Sequence, residues 1–247
     1  MNERVSLETA QDTEAGGRVL LESREVWKEF RVAQNRLQVL KGVTLSIDAG
    51  ETLSIMGASG AGKSTLLHIL GGLERPTSGS VLFDGRDVYR MSAKPRNEYR
   101  ACRIGFIFQA YYLLPELDVL ENVLLPCMRR LNWLRRTAYY RERAQDLLQK
   151  VGLGDRAHHR PTELSGGEQQ RAAMARALMN GPDVVLADEP TGNLDSKTGM
   201  QVLQYLFGLT RDQGQTLVLV THNEEIASMC GRNVHIVDGK IASEEGA

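Results

Sequence analysis

Apolar and polar residues alternate with different periods along the chain, and the change of period separates strand-rich from helix-rich parts. Residues 19–30 and 37–47 contain alternating and β-branched residues separated by polar connections, which predicts two antiparallel strands. A third strand pattern at 52–56 precedes a glycine-rich loop and a helical pattern at 64–70 that ends at two glycines. The first part of the chain therefore predicts a strand–loop–helix unit beside an antiparallel pair.

The period becomes helical over about residues 113–178, after a short strand pattern at 80–83 and a turn at Asp84-Gly85. Within this stretch, apolar residues recur at helical spacing at Ala144, Leu147, Leu148 and Val151. We interpret residues 110–178 as a helical insertion.

Strand patterns return near the end of the chain as two apolar runs, 184–187 and 216–220, on either side of a helical stretch at 197–209. Apolar runs bounded by helices are typical of buried parallel strands. A last pattern at 234–241 predicts a closing hairpin around an Asp-Gly turn. We predict an α/β fold with a parallel-sheet core, an antiparallel layer and a helical subdomain; the core comprises residues 18–109 and about 179–243.

The composition changes this picture little. The 247 residues include 42% hydrophobic and 25% charged positions, which is typical of soluble globular proteins and excludes fibrous or globally disordered chains. Because 30 Lys and Arg oppose 31 Asp and Glu, no global field attracts a nucleic acid, and we expect no such partner. The three cysteines show no Cys-x-x-Cys spacing, which favours a reducing compartment.

Residues 1–17 contain one cation, Arg4, and lack the apolar core of a signal peptide. We therefore predict a disordered tail over 1–17, followed by one domain over 18–247. No run of about 18 apolar residues indicates a membrane span. Any contact with a membrane is expected to be local or to pass through a partner.

The glycine-rich loop, Gly57 to Ser64, matches the phosphate-binding pattern G-x-x-x-x-G-K-[ST]. Glycines allow consecutive backbone N–H groups to point at phosphate oxygens, and the helix that follows adds positive potential. Lys63 is expected to reach the β and γ phosphates, and the Ser64 hydroxyl to bind Mg²⁺. The alternative, an ordinary glycine-rich turn, is disfavoured by the strand before the loop and the helix after it.

Asp188 and Glu189 follow an apolar run at the carboxyl end of a predicted parallel strand, where open α/β sheets bind ligands. Asp188 is placed to hold the Mg²⁺ shell, and Glu189 to orient or deprotonate an attacking water. The alternative is a strand that simply ends in solvent with two acids. The phosphate-binding loop upstream favours the catalytic interpretation.

The segment 164–169, which reads LSGGEQ, precedes a helical run. Ser165 and Glu168 have capping-box spacing, so a well-capped helix is the simplest interpretation. Capping does not require the two glycines between them, which at a helix start form a second exposed anion cradle. A second anion cradle suggests that a second nucleotide-binding surface packs against this one.

The order of these three motifs resembles that of the ATP-binding-cassette (ABC) ATPases, whose LSGGQ-like signature lies between the phosphate loop and the acidic strand end. The resemblance covers about residues 18–243. It implies a P-loop NTPase cassette with a RecA-like parallel-sheet core, an antiparallel β subdomain and a helical subdomain that carries the signature. It also implies ATP hydrolysis with Mg²⁺ and a head-to-tail dimer, in which Ser165 and Gly167 of one subunit close on the γ-phosphate held by the other.

The resemblance further implies roles for individual residues. Nucleotide binding is assigned to Phe30, as the aromatic that stacks on adenine, and to Gly57, Ala58, Ser59, Gly60, Ala61, Gly62, Lys63, Ser64 and Thr65. The signature that acts in trans comprises Leu164, Ser165, Gly166, Gly167, Glu168 and Gln169, and the D-loop comprises Asn193, Leu194 and Asp195. Catalysis is assigned to Glu189, to the Q-loop residue Gln109 and to the switch residue His222, and Mg²⁺ binding to Ser64, Gln109 and Asp188.

Three of these residues have plainer interpretations. Phe30 is equally consistent with an ordinary core aromatic, and it replaces the tyrosine common at this position, a change that keeps the stacking ring. Gln109, after a strand pattern at 104–108, resembles a surface polar residue, and His222 a hydrogen-bonded histidine at a strand end. The matching order of all the motifs favours the functional interpretations.

One branch of the family shares further segments with this chain, including Leu113-Leu114-Pro115, residues 158–161 (HHRP) and residues 187–195 (ADEPTGNLD). This branch contains lipoprotein-releasing, macrolide-export and cell-division ATPases, and the chain most resembles the first. The resemblance implies a peripheral ATPase on the cytoplasmic face of the inner membrane, bound to integral-membrane permease subunits. Macrolide efflux and cell-division mechanotransmission remain the alternatives. A soluble ABC ATPase is less favoured, because the chain lacks the heptads, cysteine pairs or second cassette of that class.

Arginines alternate with aromatic residues between Arg129 and Arg143. Such a segment can contact anionic lipid headgroups or a membrane partner. It is also consistent with a solvated helix whose apolar face packs inward, which is the interpretation we favour.

Overall fold

The computed structural model describes residues 17–32, 35–128 and 133–246. The strands are β1 (Val19–Val32), β2 (Asn35–Asp48), β3 (Thr52–Met56), β4 (Ser78–Phe83), β5 (Arg86–Asp87), β6 (Ile104–Ile107), β7 (Val184–Asp188), β8 (Thr216–Val220), β9 (Arg232–Val237) and β10 (Lys240–Gly246). The α-helices are α1 (Lys63–Leu70), α2 (Ala93–Glu98), α3 (Val119–Leu124), α4 (Thr137–Lys150), α5 (Gly166–Leu178), α6 (Ser196–Asp212) and α7 (Glu224–Ala227).

A sheet of six strands in the order β10-β9-β3-β8-β7-β6 forms the centre of the fold. All neighbours in it are parallel except β9 and β10, which form the predicted closing hairpin. All five residues of β8 are buried, as expected for a parallel strand covered on both faces. Because β3, β6, β7 and β8 point the same way, the loops at their carboxyl ends meet at one edge of the sheet.

A second, antiparallel sheet has the order β2-β1-β4-β5. It begins with the predicted antiparallel pair, β1 and β2, and continues through the predicted Asp84-Gly85 turn between β4 and β5. This sheet and α1 pack against one face of the parallel sheet. Leu186 and Val218 are among the residues that the parallel sheet contributes to this hydrophobic cluster. The sheets therefore share one hydrophobic core.

The helices that follow β6 pack on the other face of the parallel sheet. Their core includes residues of α3, α4, α5 and α6 together with Val185 and Leu217, the chain neighbours of the residues on the first face. This alternation follows from the strand period of two. Within the stretch predicted as helical over 113–178, the structure has α3, α4 and α5, which are joined by turns and do not form one continuous helix.

Two predictions concern residues that lie partly outside the described ranges. Residues 1–16 of the tail predicted over 1–17 lie outside the described residues. The same holds for residues 129–132 of the basic segment 129–143. In the part that is described, Arg135, Arg136 and Arg141 are exposed, whereas α4 buries residues on its other face. This distribution agrees with a solvated amphipathic helix. In the described ranges we find no helix with the length and apolar character that crossing a membrane requires.

Candidate active site

Two of the three glycines in the loop between β3 and α1 have almost no space around them. Gly57 and Gly62 have φ angles of +147° and +105°. A Cβ atom on Gly57 would lie 2.2 Å from the carbonyl oxygen of Ile236, and one on Gly62 would lie 2.8 Å from that of Val39. Only glycine fits both positions without displacing backbone. We call residues 57–65 the phosphate loop because their backbone N–H groups and the start of α1 can bind an anion.

Lys63 is buried at the base of this loop, with 7% of its surface exposed. Its Nζ donates hydrogen bonds to the carbonyl oxygens of Gly57 at 2.8 Å and Ala58 at 2.9 Å. These bonds hold the ammonium group across the loop. A buried cation beside a helix N-terminus makes the loop a strong candidate for phosphate binding.

Two oxygen-bearing side chains meet where the phosphate loop faces the end of β7. The Ser64 hydroxyl donates a hydrogen bond of 2.9 Å to Oδ1 of Asp188. Burial raises the pKa of the Asp188 carboxyl, and the Ser64 hydrogen bond opposes this shift. A hydroxyl and a carboxylate in contact form the kind of oxygen ligand set that Mg²⁺ prefers.

Glu189 and His222 form a second pair at the same edge of the sheet. Nδ1 of His222 lies 2.8 Å from Oε1 of Glu189. The Glu189 backbone has a φ of +46°, and its N–H donates to the carbonyl oxygen of Val220 at 3.0 Å. Left-handed backbone at a non-glycine residue costs about 1–3 kcal/mol and is concentrated at functional sites. Glu189 can therefore act as a general base whose orientation is fixed by both its backbone and its histidine partner.

Gln109 is bonded to the D-loop in both directions. Its Nε2 donates to Oδ1 of Asn193 at 3.2 Å, and Nδ2 of Asn193 donates to the backbone carbonyl of Gln109 at 3.0 Å. Gly192 permits this approach, because a Cβ there would lie 2.7 Å from Nε2 of Gln109. The sequence motifs give no indication of this reciprocal contact.

Each of these pairs contributes at least one residue to the lining of a cavity of about 690 Å³, which is enough to hold a small-molecule ligand. Asp188 and Asn193 are not among its lining residues, and neither are Gly57, Ala58 and Ala61 of the phosphate loop. The predicted site residues that line it are Ser59, Gly60, Gly62, Lys63, Ser64, Thr65, Gln109, Glu189 and His222. Leu37 and Val39 of β2, together with Gly192, also line the cavity and were not predicted. Their contribution depends on how the two sheets pack, which the strand pattern does not encode.

Phe30 lies outside the lining described for this cavity. It pairs with Leu37 across β1 and β2 and has 36% of its surface exposed. The ammonium nitrogen of Lys28 lies 4.7 Å from the centre of its ring. Phe30 is thus an accessible aromatic next to the cavity wall, and a cation already stacks on it.

The signature segment, residues 164–169, forms the start of α5. Ser165 and Glu168 form the predicted capping box, in which the N–H of Ser165 donates to Oε2 of Glu168 at 2.8 Å. That bonding, led by the Ser165 hydroxyl, lowers the pKa of the Glu168 carboxyl. Gly167 allows close packing, since a Cβ there would lie 2.3 Å from Cγ2 of Thr198.

The signature segment does not contribute to the 690 Å³ cavity, although the structure describes all six of its residues. The D-loop lies closer. Leu194 and Asp195 line an adjoining cavity of about 520 Å³, which shares Glu189, Gly192 and His222 with the first. Asp195 also caps α6 by accepting a hydrogen bond from the Thr198 N–H.

Comparison with known proteins gives consistent matches. The family model described as ABC transporter matches residues 40–192. The lipoprotein-releasing system ATP-binding protein LolD of Geobacter metallireducens is 49% identical over 225 residues, which cover 91% of this chain and 99% of that protein. LolD of Myxococcus xanthus is 49% identical over 223 residues, covering 90% and 98%.

Solved structures match as well. The dimeric post-hydrolysis state of an ATP-binding cassette bound to ADP and Pi superimposes with a TM-score of 0.82 at 40% identity, covering 92% of this chain and 98% of that one. A component of the ABC transporter complex cbiONQ from Clostridium perfringens gives a TM-score of 0.81 at 26% identity, covering 93% and 89%.

Proposed function

Because this chain belongs to the ABC transporter family, and is therefore a cassette that binds and hydrolyses ATP, we propose that it energises the release of lipoproteins from the inner membrane. The observation that carries this proposal is its 49% identity to LolD over almost the whole of both chains. The location that follows is the cytoplasmic face of that membrane, with attachment through integral permease subunits.

The phosphate loop is the proposed seat of the ATP phosphates. Its glycines at positive φ and the Lys63 ammonium supply N–H donors and a positive charge to the β and γ phosphates. The base and ribose extend towards β2, where Leu37 and Val39 line the cavity. We assign adenine stacking to Phe30, which is exposed beside Leu37.

The oxygen atoms of Ser64 and Asp188 fit a magnesium ion, because Ser64 lines the cavity and its hydroxyl is already in contact with the Asp188 carboxylate. Gln109 is the third ligand that we propose. When bound, the ion would neutralise charge that develops on the phosphate oxygens. In this structure the Gln109 amide is instead bonded to Asn193.

In the proposed hydrolysis, a water oxygen attacks the γ-phosphorus and the bond between that phosphorus and the β–γ bridging oxygen breaks. Glu189 accepts a proton from the attacking water, and ADP leaves with the bridging oxygen. His222, with Nδ1 2.8 Å from Oε1 of Glu189, orients the carboxylate. Lys63 stabilises negative charge on the phosphates.

We further propose that two copies bind head to tail. In a single chain the signature segment does not join the phosphate site, and its Ser165, which is exposed at the N-cap of α5, is available to a second copy. The match to a dimeric cassette bound to ADP and Pi supports this arrangement. Ser165 and Gly167 of one copy would then close on the γ-phosphate held by the other.

Affinity capture tests the membrane partner. Glu189→Gln, which is expected to retain ATP, is isolated from native membranes with ATP and Mg²⁺, and the associated proteins are identified by mass spectrometry. Recovery of a permease that binds lipoproteins would support the proposal. Recovery of an efflux or cell-division permease would contradict the assigned cargo, and recovery of soluble partners alone would overturn the transport role.

A further inference from the structure

Gln170, on the second turn of α5, is completely buried. Its Nε2 donates to the carbonyl oxygen of Phe108 at 3.2 Å and to that of Pro190 at 2.7 Å. Phe108 directly precedes Gln109, and Pro190 directly follows Glu189. One side-chain amide therefore joins α5, the signature helix because the signature segment forms its start, to the backbone beside two proposed catalytic residues.

The chemistry of this position requires an NH₂ group. Both acceptors are carbonyl oxygens, so the amide is oriented with its nitrogen towards them. Its oxygen is buried without a hydrogen-bond partner among the residues that the structure describes. Leaving a buried acceptor unpaired is costly. The Gln170 side chain therefore binds the described residues around it only through its two N–H donors, and not through its oxygen.

The contact to Pro190 holds a strained segment. Glu189 is left-handed, its N–H is bonded to Val220, and its carbonyl oxygen accepts from the N–H of Gly192 at 3.0 Å. A strained conformation persists only where several contacts determine it together. Gln170 adds a bond to the carbonyl of the next residue, so it limits how far the Glu189 peptide can relax.

The contact to Phe108 is reinforced further along α5. Arg176 donates from one guanidinium nitrogen to the carbonyl of Tyr111 at 2.8 Å, and from another to that of Tyr112. The signature helix thus binds the backbone on both sides of Gln109. A movement of α5 would carry this backbone with it.

We infer that Gln170 is a positioning residue for ATP hydrolysis, which holds Gln109 and Glu189 in fixed relation to the signature helix. The inference rests on the proposed function, because it assumes that those two residues act on the nucleotide. Gln170 itself faces only backbone carbonyls and is not proposed to touch ATP.

Gln170→Met tests the inference, because methionine has a similar length but no N–H donor. We expect kcat for ATP hydrolysis to fall roughly 10- to 100-fold, the scale of a small misplacement of reacting groups. The affinity for ATP should stay at the wild-type value, since the phosphate loop is not among the contacts of Gln170. If Gln170→Met fails to fold, Gln170→His retains one N–H donor and should give an intermediate kcat.

Gln215 provides a matched control. It is also buried, with 6% exposed, its Nε2 donates to the carbonyl of Pro182 at 2.8 Å, and its oxygen is unpartnered within the described chain. It precedes β8, at the end of the sheet opposite the cavity. Gln215→Met should therefore lower stability at unchanged kcat, although it removes one side-chain hydrogen bond where Gln170→Met removes two. An equal fall in kcat for both variants, or a wild-type kcat for Gln170→Met, would overturn the inference.

A double-mutant cycle separates this inference from the proposed function. If Gln170 acts through Glu189, Gln170→Met should reduce kcat much less in a Glu189→Gln background than in the wild type. The same fold-change in both backgrounds would contradict positioning of Glu189. Wild-type hydrolysis by Glu189→Gln alone would instead contradict the assignment of the general base.

Discussion

Single side chains around the cavity are held in place by contacts within the chain. Lys63 is fixed by two carbonyls of its own loop, and Glu189 by a left-handed backbone and by His222. Side chains that are ordered before the ligand arrives lose less entropy when it binds. The site therefore has the character of a preorganised phosphate-transfer centre.

Lys63→Ala tests the phosphate loop. We expect ATP affinity to fall roughly 10- to 100-fold, because a hydrogen bond to a charged group contributes about 1.5–3 kcal/mol. Isothermal titration measures the change. Lys150→Ala is the control, since Lys150 is an exposed residue of α4 paired with Asp146. Wild-type affinity in Lys63→Ala would show that the phosphates bind elsewhere.

Glu189→Gln tests the proposed base. Glutamine keeps the shape of the side chain but does not accept the water proton, so turnover should slow by roughly 10²- to 10⁴-fold. ATP binding should persist. Steady-state phosphate release is the measurement, with the exposed Glu142→Gln on α4 as the control. Undiminished turnover in Glu189→Gln would exclude it as the base.

The residues around the cavity lie close together because several of them follow the carboxyl ends of neighbouring parallel strands. Buried runs such as β3 and β8 could be predicted to the residue, because polar or glycine residues bound them and every position is apolar or small. The grouping of His222 with Ser64 and Asp188 came from the resemblance to the ABC ATPases and not from the strand pattern. The short α2, which buries none of its residues, and the four-residue α7 give no periodic signal and were not predicted.

Other parts of the site depend on contacts between distant elements. Leu37 reaches the cavity through the packing of the antiparallel sheet, and Gln170 reaches Pro190 through the packing of α5 against β6, the strand next to β7. No sequence motif predicts either of these contacts. Both contacts depend on strand register and side-chain direction, which are set only when the chain folds.

Gly57→Ala tests the turn between β3 and α1. An added Cβ meets the Ile236 carbonyl at 2.2 Å, whereas at Gly214, which also has positive φ, no atom of the described chain lies within 4 Å. Gly214→Ala therefore carries only the cost of the left-handed backbone. Gly57→Ala should lose about 1–3 kcal/mol more free energy of unfolding, the usual cost of overpacking. Urea denaturation compares them, and equal losses would contradict the tight turn.

On the scale of the whole molecule, the parallel sheet collects the phosphate loop, Gln109, Glu189 and His222 at one edge. The signature segment stands apart from that cavity, and the D-loop borders the cavity beside it. In the proposed head-to-tail arrangement, each chain supplies both halves of an ATP site without bringing them together. A second copy that faces the first in the opposite direction would complete two such sites.

The mass of Glu189→Gln in solution, measured by light scattering with ATP and Mg²⁺ and then with ADP, tests this account most directly. We predict the mass of two chains with ATP and of one chain with ADP. Adding Ser165→Arg should leave ATP bound but keep the mass of one chain, because the bulky cation blocks the start of α5. A mass of one chain for Glu189→Gln at saturating ATP would contradict a site completed by a second copy.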